Sequence, residues 1–201
     1  MYFEIPYVIE KSSPTGPEKS YSLASRLLKD RIVTVAGEVD ESMSISVCSQ
    51  LMYLDQQDTK PIIMFINSPG GSVTDGLSIY DTMNFIDSPI ITVGLGQCCS
   101  MGSFLLSMGD TRLSLPSTSL MYHSVSSGFY GTVHDHVISF EETQRLQTML
   151  MDKLKEKIIP AHKDEFAKKI ERDFFILPKD ARDFGLIDAV ISSKSEIKAY
   201  L

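Results

Sequence analysis

The amino-acid sequence predicts a single α/β domain built around a largely parallel β-sheet. The first observation is that residues 61–67 and 89–94 are short, almost continuous apolar runs, which are typical of strands buried on both faces. The second is that a segment of helical spacing follows each run, so that strands and helices alternate along the chain. The third is the length of 201 residues, which suits one domain of ordinary size.

Each predicted element rests on its own pattern. Runs of β-branched and apolar residues predict strands, and apolar residues at helical spacing predict helices. The strands are expected at residues 31–37, 61–67, 89–94 and 120–125, and the helices at residues 22–29, 40–54, 73–86, 100–108 and 133–158. A short α/β ending is expected over residues 172–191.

Two segments keep two interpretations each. Residues 1–20 combine an apolar patch with a proline-bearing polar loop, which fits either an unstructured terminus or a loop that docks a partner. Residues 133–158 form the longest helical pattern, with an apolar stripe that includes methionine. Such a stripe belongs either to the core of the domain or to an arm that packs on another subunit.

Composition and charge exclude several classes of protein. Hydrophobic residues make up 43% and charged residues 22%, which is typical of a globular chain and not of a disordered one. The net charge of −7 makes nucleic acid an unfavourable partner. The three cysteines are too few for a disulfide framework and form no CxxC pair for zinc, so they fit a reducing compartment.

The N-terminus and one uncharged stretch bear on localisation. The N-terminus lacks a basic region followed by an apolar one, so we expect no secretory signal and a cytoplasmic location. Residues 88–109 carry no charge over 22 residues, which is long enough for a membrane span. This stretch contains a proline and several glycines, so a buried strand followed by a buried helix explains it better and no membrane association is expected.

Ser100 is the first candidate for chemistry. It lies after the strand at 89–94 and a glycine-rich turn, where the next predicted helix begins. A serine in this place is often only a helix N-cap. A nucleophile is the alternative, because open α/β sheets place their sites at the carboxyl ends of strands, where free helical N–H groups can hold an oxyanion. The match to a GxSxG nucleophile motif is partial, since residue 98 is cysteine.

A serine nucleophile needs a base and a carboxylate. His123 is the best base by environment, because it lies in an apolar strand. His134 and His136 flank Asp135 and fit a solvated helix start better than a metal site, and His162 lies in a polar loop. Spacing alone does not choose among the candidate carboxylates, which are Asp110, Asp173, Asp183 and Asp188.

Two long motifs carry a family resemblance. The sequence INSPGGSVTDGLSIYDTMNFI followed by GQCCSMGSFLL resembles the proteolytic subunit of the Clp protease, ClpP, of peptidase family S14. Upstream the likeness includes IPYVIE, SRLLKDRIV and GEVDESM, and downstream it includes LMYH, IERDFF and ARDFGLIDAVI. It therefore extends along nearly the whole chain, and the combination of motifs is far more specific than any one of them.

The resemblance implies a serine endopeptidase of the Clp type. In that family the matching positions are the nucleophile at Ser100, the general base at His123 and the orienting carboxylate at Asp173. The matching oxyanion hole consists of the backbone N–H groups of Gly71 and Met101. The residues that would flank an extended substrate strand are Gly70, Ser72, Val73 and residues 128–131.

The resemblance also implies an architecture and partners. The fold would be crotonase-like, with repeated β-β-α units and a protruding handle helix within residues 126–160 of one domain, 1–201. Two stacked heptameric rings of this chain would enclose a chamber for unfolded polypeptides. Residues 1–20 would form a pore loop that contacts an AAA+ unfoldase such as ClpX, ClpA or ClpC, in protein quality control. We expect no metal or other cofactor, since the sequence lacks a Walker motif and ATP would be used by the unfoldase.

The sequence departs from the family pattern at several places, some of them close to the predicted site. Cys98 and Cys99 replace two alanines, either as simple packing or as a source of thiol sensitivity. Ser124 and Val125 replace a Gln-Pro pair, and Ser127 replaces the first of two glycines. The turn at 109–115 is shorter than usual, residues 157–169 depart from the family's handle end, and little or no propeptide is expected before IPYVIE.

Three other functions compete with the protease. A non-proteolytic ring subunit is disfavoured because all three triad positions are filled. A crotonase-type acyl-CoA enzyme would use a similar oxyanion hole but has no need of the serine, histidine and aspartate set. A stand-alone peptidase with a specialised substrate, such as a phage maturation enzyme, stays open because of the departures.

Overall fold

The computed structural model describes residues 6–11 and 16–200, and the predicted pore loop therefore lies partly outside the described residues. The strands are β1 (Tyr7–Lys11), β2 (Glu18–Ser22), β3 (Ile32–Val39), β4 (Ile62–Gly71), β5 (Ile90–Cys99), β6 (Thr111–Ser114), β7 (Ser119–Tyr122), β8 (Phe174–Ile176) and β9 (Ala189–Val190). The helices are α1 (Leu23–Lys29), α2 (Glu41–Asp55), α3 (Val73–Phe85), α4 (Met101–Ser107), α5 (Val133–Lys157), α6 (Lys163–Lys169), α7 (Pro178–Phe184) and α8 (Lys194–Ile197).

A seven-stranded sheet organises the chain. Its strands lie in the order β3-β4-β5-β6-β9, with β7 beside β5 and β8 beside β7. Every pairing in this sheet is parallel except β7 with β8. The apolar runs predicted as strands form β4 and β5 at its centre, where alternate residues of β4 and the first five residues of β5 are buried. The predicted α/β class with a largely parallel sheet is confirmed.

Strand β5 changes partner halfway along its length. Residues 91–94 pair with β6, whereas residues 97–99 pair with β7. The pairing of β4 with β5 shifts register over the same stretch, between Ile66 and Ser68. A register shift of this kind bends a strand and redirects its end. As a result β7 lies directly against the last residues of β5.

The sequence pattern did not predict the N-terminal hairpin, strand β6 or the short helices α6 and α8. β1 and β2 pair antiparallel from Tyr7 with Ser22 to Lys11 with Glu18 and form a sheet of their own. No residue of either strand is buried, so the hairpin lacks the fully buried apolar positions that mark a strand of the core. β6 has only four residues and is recognisable mainly from its pairing with β5.

The uncharged stretch at residues 88–109 folds as β5 followed by α4, and all seven residues of α4 are buried. Among the residues that the structure describes, no helix is both long and apolar enough to cross a lipid bilayer. The strand and helix expected from the sequence account for the lack of charge, because seven of the ten residues of β5 and every residue of α4 are buried.

Helix α5 combines both interpretations of its apolar stripe. In its second half Leu150 and Leu154 are buried against the domain. In its first half Val133, Val137 and Phe140 are at least half exposed in the single chain. At 1.5 Å per residue this 25-residue helix is about 37 Å long. Its first half therefore presents apolar side chains that the described residues leave at least half exposed.

Phe166 is the aromatic centre beneath the site region. Its side chain is fully buried, and its ring lies 5.5 Å from that of Tyr122 and 6.3 Å from those of Phe174 and Phe184. These rings join α6, β7, β8 and α7. Aromatic pairs at such distances contribute beyond the area that they bury.

Replacing Phe166 with alanine should lower the free energy of unfolding by about 3–5 kcal/mol, because it removes this shared ring and leaves a cavity. Urea unfolding at a fixed protein concentration measures the change. Phe175→Ala in the neighbouring strand is the matched control, since Phe175 is 63% exposed and should cost less than about 1 kcal/mol. Equal losses in the two variants would contradict the assignment of Phe166 to the core.

Candidate active site

The carboxyl ends of three parallel strands meet at one edge of the sheet. β4 ends at Gly71, β5 is followed by Ser100, and β7 is followed by His123. Because β4, β5 and β7 run in the same direction, these residues come together at that edge. The chain thus brings the predicted nucleophile, the predicted base and the glycine turn into one place.

Asp173 reaches the same edge from the opposite direction. β8 is antiparallel to β7, so its first residue lies beside the last residue of β7, as Tyr122 pairs with Phe174. His123 follows Tyr122 and Asp173 precedes Phe174. One further step of the same register therefore sets His123 opposite Asp173.

The three side chains form a line. Ser100 Oγ lies 2.8 Å from His123 Nε2, which is a hydrogen-bond distance. On the other side of the ring, His123 Nδ1 lies 3.4 Å from Asp173 Oδ1. This second distance exceeds that of a well-formed hydrogen bond, although a carboxylate at 3.4 Å still attracts a proton on Nδ1. The histidine side chain is 23% exposed and the aspartate is 64% exposed.

Ser100 has a backbone conformation that side chains rarely adopt. Its φ is +54° and its ψ is −122°, between the end of β5 and the start of α4. A serine on such a sharp strand-to-helix turn is typical of activated nucleophiles. The backbone N–H of Ser100 donates to Met121 O at 2.9 Å, which anchors the turn to β7. Ser100 occupies the N-cap position of α4, but its hydroxyl contacts His123 and makes no capping hydrogen bond.

A pocket opens beside Ser100. Gly71 and Met101 line it together with Ser100 and His123. Met101 is the first residue of α4, where N–H groups have no acceptor within their own helix. The far wall is mostly apolar and includes Phe104, Tyr122, Leu150, Met151, Leu154 and Ile170. The pocket beside Ser100 is therefore mostly apolar, and it includes the first residue of α4 and the last residue of β4.

The three residues predicted to bind a substrate strand have different surroundings. Val73 lines the pocket. Ser72 lies at the N-cap of α3, and its N–H donates to Val39 O at 2.8 Å. Gly70, with a φ of +95°, packs directly under the turn, since a Cβ there would lie 2.6 Å from Ser100 Cβ. Residues 128–131 are mostly exposed, and the pocket wall on that side is formed by Val125 and Ser126 instead.

The other candidate carboxylates have partners elsewhere. Asp110 accepts a hydrogen bond from Ile90 N at 2.7 Å. Asp188 pairs with Arg112, and Asp183 with its neighbour Arg182. Of the four aspartates left open by the sequence, Asp173 is the one that faces His123.

The remaining histidines have local roles. His134 and His136 are exposed, and Asp135 between them forms a capping box with Thr132 at the start of α5. The ring of His162 is only half buried and lies against Phe184 at 4.8 Å. Within residues 6–11 and 16–200, no cluster of three or more His, Cys, Asp or Glu side chains is placed to hold a metal ion.

Cys98 and Cys99 are both buried in the last residues of β5. Burial raises the pKa of Cys98 to about 12, and its thiol donates to Ile66 O at 3.2 Å. Burial and, to a lesser degree, the nearby charge of Asp173 raise the pKa of Cys99. Since the thiolate is the reactive form, these surroundings favour packing over thiol sensitivity.

Comparison with known protein families gives a match that covers most of the chain. The family described as Clp protease matches residues 15–194. The chain belongs to the Clp protease family. Membership identifies a ClpP-type serine peptidase and implies an oligomer that works with Clp ATPases. The resemblance read from SPGG, SMG and ERDFF is confirmed, and a crotonase-type acyl-CoA enzyme is disfavoured.

Sequence reasoning missed the pocket wall of this Clp-family site. The helical spacing of Leu150 and Leu154 predicted a buried face on α5 but could not indicate what that face covers. It also missed the role of Met121, whose backbone oxygen anchors the turn at Ser100. A backbone contact of this kind leaves no signal in residue identity.

Gly70→Ala should abolish most of the reactivity of Ser100, because the new Cβ would displace the turn that holds its hydroxyl. We expect the rate of fluorophosphonate labelling at Ser100 to fall about 100-fold, since a displacement of about 1 Å has effects of that order. Mass spectrometry of the labelled peptide measures it.

Gly37→Ala is the matched control for this prediction. Gly37 has nearly the same φ, +94°, but none of the described residues comes within 4 Å of a Cβ at that position. The Gly37→Ala variant has the same backbone strain but no steric contact with Ser100, so the labelling rate should stay within about twofold of wild type. Equal loss of labelling in both variants would refute the role assigned to the contact between Gly70 and Ser100.

Proposed function

We propose that this chain is the proteolytic subunit of an ATP-dependent Clp protease, a serine endopeptidase of the Clp type that cleaves unfolded polypeptides. The observation that carries the proposal is the 2.8 Å contact between Ser100 Oγ and His123 Nε2 at a strained strand-to-helix turn, in a chain of the Clp protease family. A hydroxyl in hydrogen-bond contact with an imidazole is the arrangement that nucleophilic acyl transfer needs.

The proposed reaction begins with proton transfer. His123 Nε2 takes the proton of Ser100 as Ser100 Oγ attacks the carbonyl carbon of a peptide bond. Asp173 attracts the proton on Nδ1 and stabilises the imidazolium that forms. His123 then gives its proton to the leaving amine, and the peptide's acyl half stays bound to Ser100 as an ester. A water molecule, deprotonated by His123, hydrolyses the ester and restores the serine.

The backbone supplies the charge stabilisation in this proposal. The carbonyl oxygen becomes negative as the tetrahedral intermediate forms, and the N–H groups of Gly71 and Met101 would bind it. Both residues line the pocket next to Ser100, which supports this assignment. Each such donor contributes about 10²-fold or more to the rate. Gly70, Ser72 and Val73 would flank the extended substrate on the same side.

We also propose the assembly and the partner. The exposed apolar half of α5 would pack on a second ring, giving two stacked heptameric rings around a chamber. The β1–β2 hairpin, with the residues around it, would line the pore. An AAA+ unfoldase such as ClpX, ClpA or ClpC would use ATP to feed unfolded proteins through that pore, as part of cytoplasmic protein quality control.

Ser100→Ala should lower the hydrolysis of a fluorogenic peptide by about 10⁴-fold or more, because the nucleophile is removed while the fold is kept. A fluorophosphonate should label wild type at Ser100 and leave the variant unlabelled. Ser49→Ala on the exposed surface of α2 is the control and should react like wild type. Continued turnover by Ser100→Ala at an unchanged native mass would exclude Ser100 as the nucleophile.

Native mass spectrometry tests the assembly. Fourteen copies of the 22.4 kDa chain give a particle of about 310 kDa. Val137→Asp should reduce that mass by about half, because Val137 is 51% exposed in one chain and a charge there opposes burial between rings. Val137→Ile keeps the apolar surface and should keep the mass. A 22 kDa species at all concentrations, or no effect of the aspartate, would contradict the stacked rings.

A further inference from the structure

The segment after His123 contains a backbone donor that the usual family sequence lacks. Val125 stands where the family resemblance implies a proline, and proline has no N–H. The valine N–H is half-buried beside the pocket, and it donates to Gln147 Oε1 on α5 at 2.6 Å. An N–H can only donate, so the oxygen of the glutamine amide must face Val125. The departure from Gln-Pro is therefore matched by an acceptor on the handle helix.

This contact is one of two hydrogen bonds between residues 125–127 and α5. Ser127 Oγ lies 3.1 Å from Thr143 Oγ1, two residues further along the segment and four residues earlier in the helix. Two residues of extended chain cover about 6.6 Å and four residues of helix about 6 Å, so the two spacings match. The segment runs antiparallel to α5, and of the two hydrogen bonds the one to Gln147 is closer to the pocket at Ser100.

His123 and Val125 are held by different contacts. The histidine ring is fixed between Ser100 and Asp173. Ser124 is anchored on the other side, since its N–H and its hydroxyl both donate to Ile170 O, at 2.8 and 3.0 Å. Val125 N has Gln147 as its partner. Loss of Gln147 would thus release the pocket wall while the reacting groups stay in place.

We propose that Gln147 is a positioning residue for substrate binding, which holds the Val125–Ser126 wall of the pocket against α5. The inference rests on the proposed protease function and adds to it a determinant of substrate affinity. Val125, Ser126 and Gln147 all line the pocket beside Ser100. Without the acceptor, the half-buried N–H of Val125 is left unpaired. Turning the segment toward water lowers its free energy, because the N–H can then donate to a water molecule. The wall then recedes from a bound peptide.

Gln147→Met tests the proposal, because methionine keeps the length of the side chain and removes the acceptor. For a neutral fluorogenic peptide we expect KM to rise about tenfold with kcat within about twofold of wild type, the signature of lost binding shared by ground and transition states. Gln147→Glu keeps an acceptor oxygen and should restore KM to within about threefold. Gln56→Met, at the exposed end of α2, is the matched control and should leave both constants unchanged.

A double-mutant cycle separates the effect of the hydrogen bond from the effect of the pocket's shape on KM. Val125→Pro removes the donor, so Gln147→Met should change KM by less than about twofold in that background. A tenfold rise in the Val125→Pro background as well would overturn the proposal, because Gln147 would then act through the pocket surface itself. An unchanged KM in Gln147→Met alone, or a fall in kcat at constant KM, would also overturn it.

The outcomes also separate this inference from the proposed function. Native mass and thermal unfolding midpoint are measured for each variant, so that a folding defect is recognised. If wild type neither hydrolyses the peptide nor reacts with a fluorophosphonate at Ser100, the protease proposal fails. If wild type does both and the kinetics of Gln147→Met match it, the protease stands and the role of Gln147 is refuted.

Discussion

The register of strand β7 is the constraint on which the site depends. β7 is parallel to β5, with Cys99 beside Met121, and antiparallel to β8, with Tyr122 beside Phe174. These two registers together place His123 between Ser100, which follows β5, and Asp173, which precedes β8. Successive side chains of a strand point to opposite faces, so a slip by one residue on either side would turn the imidazole away from its partners. The line of three side chains is therefore a property of backbone pairing before it is one of side-chain chemistry.

Packing of α4 balances the strain at the turn that precedes it. A non-glycine residue at a φ of +54° costs about 1–3 kcal/mol, and Ser100 has no freedom to relax because α4 follows immediately. Every residue of α4 is buried, and burial of each large side chain such as Phe104 contributes about 1.5–3 kcal/mol. The glycine at position 70 leaves just enough room for the turn. The uncharged character of residues 88–109 is thus a consequence of burying most of β5 and all of α4 on either side of the turn at Ser100.

The sequence predicts the parts of this structure that have a periodic or motif signal. Buried strands β4 and β5 follow from continuous apolar runs, and α5 from its helical stripe. The hairpin of β1 and β2 was not predicted, because none of its residues is buried and it therefore carries no apolar run of this kind. From the residues alone, four aspartates stay candidates, because distance along the sequence does not show which one the β7–β8 register places opposite His123. Only the family resemblance indicates Asp173. The strained φ of Ser100 and the backbone acceptor at Met121 are invisible in residue identities.

Two of the departures noted from the family resemblance have hydrogen-bond partners in the structure. Val125 introduces a donor where proline has none, and Gln147 accepts from it. Cys98 introduces a thiol where alanine has none, and a backbone carbonyl accepts from it. A buried or half-buried donor without a partner costs about 1–3 kcal/mol, so such a substitution is tolerated when an acceptor is already near or is supplied by a second residue. A departure beside an active site is therefore better judged by whether its polar atoms find partners than by whether the usual residue is present. By that standard, the segment after His123 keeps its polar atoms paired, and the line of Ser100, His123 and Asp173 is intact.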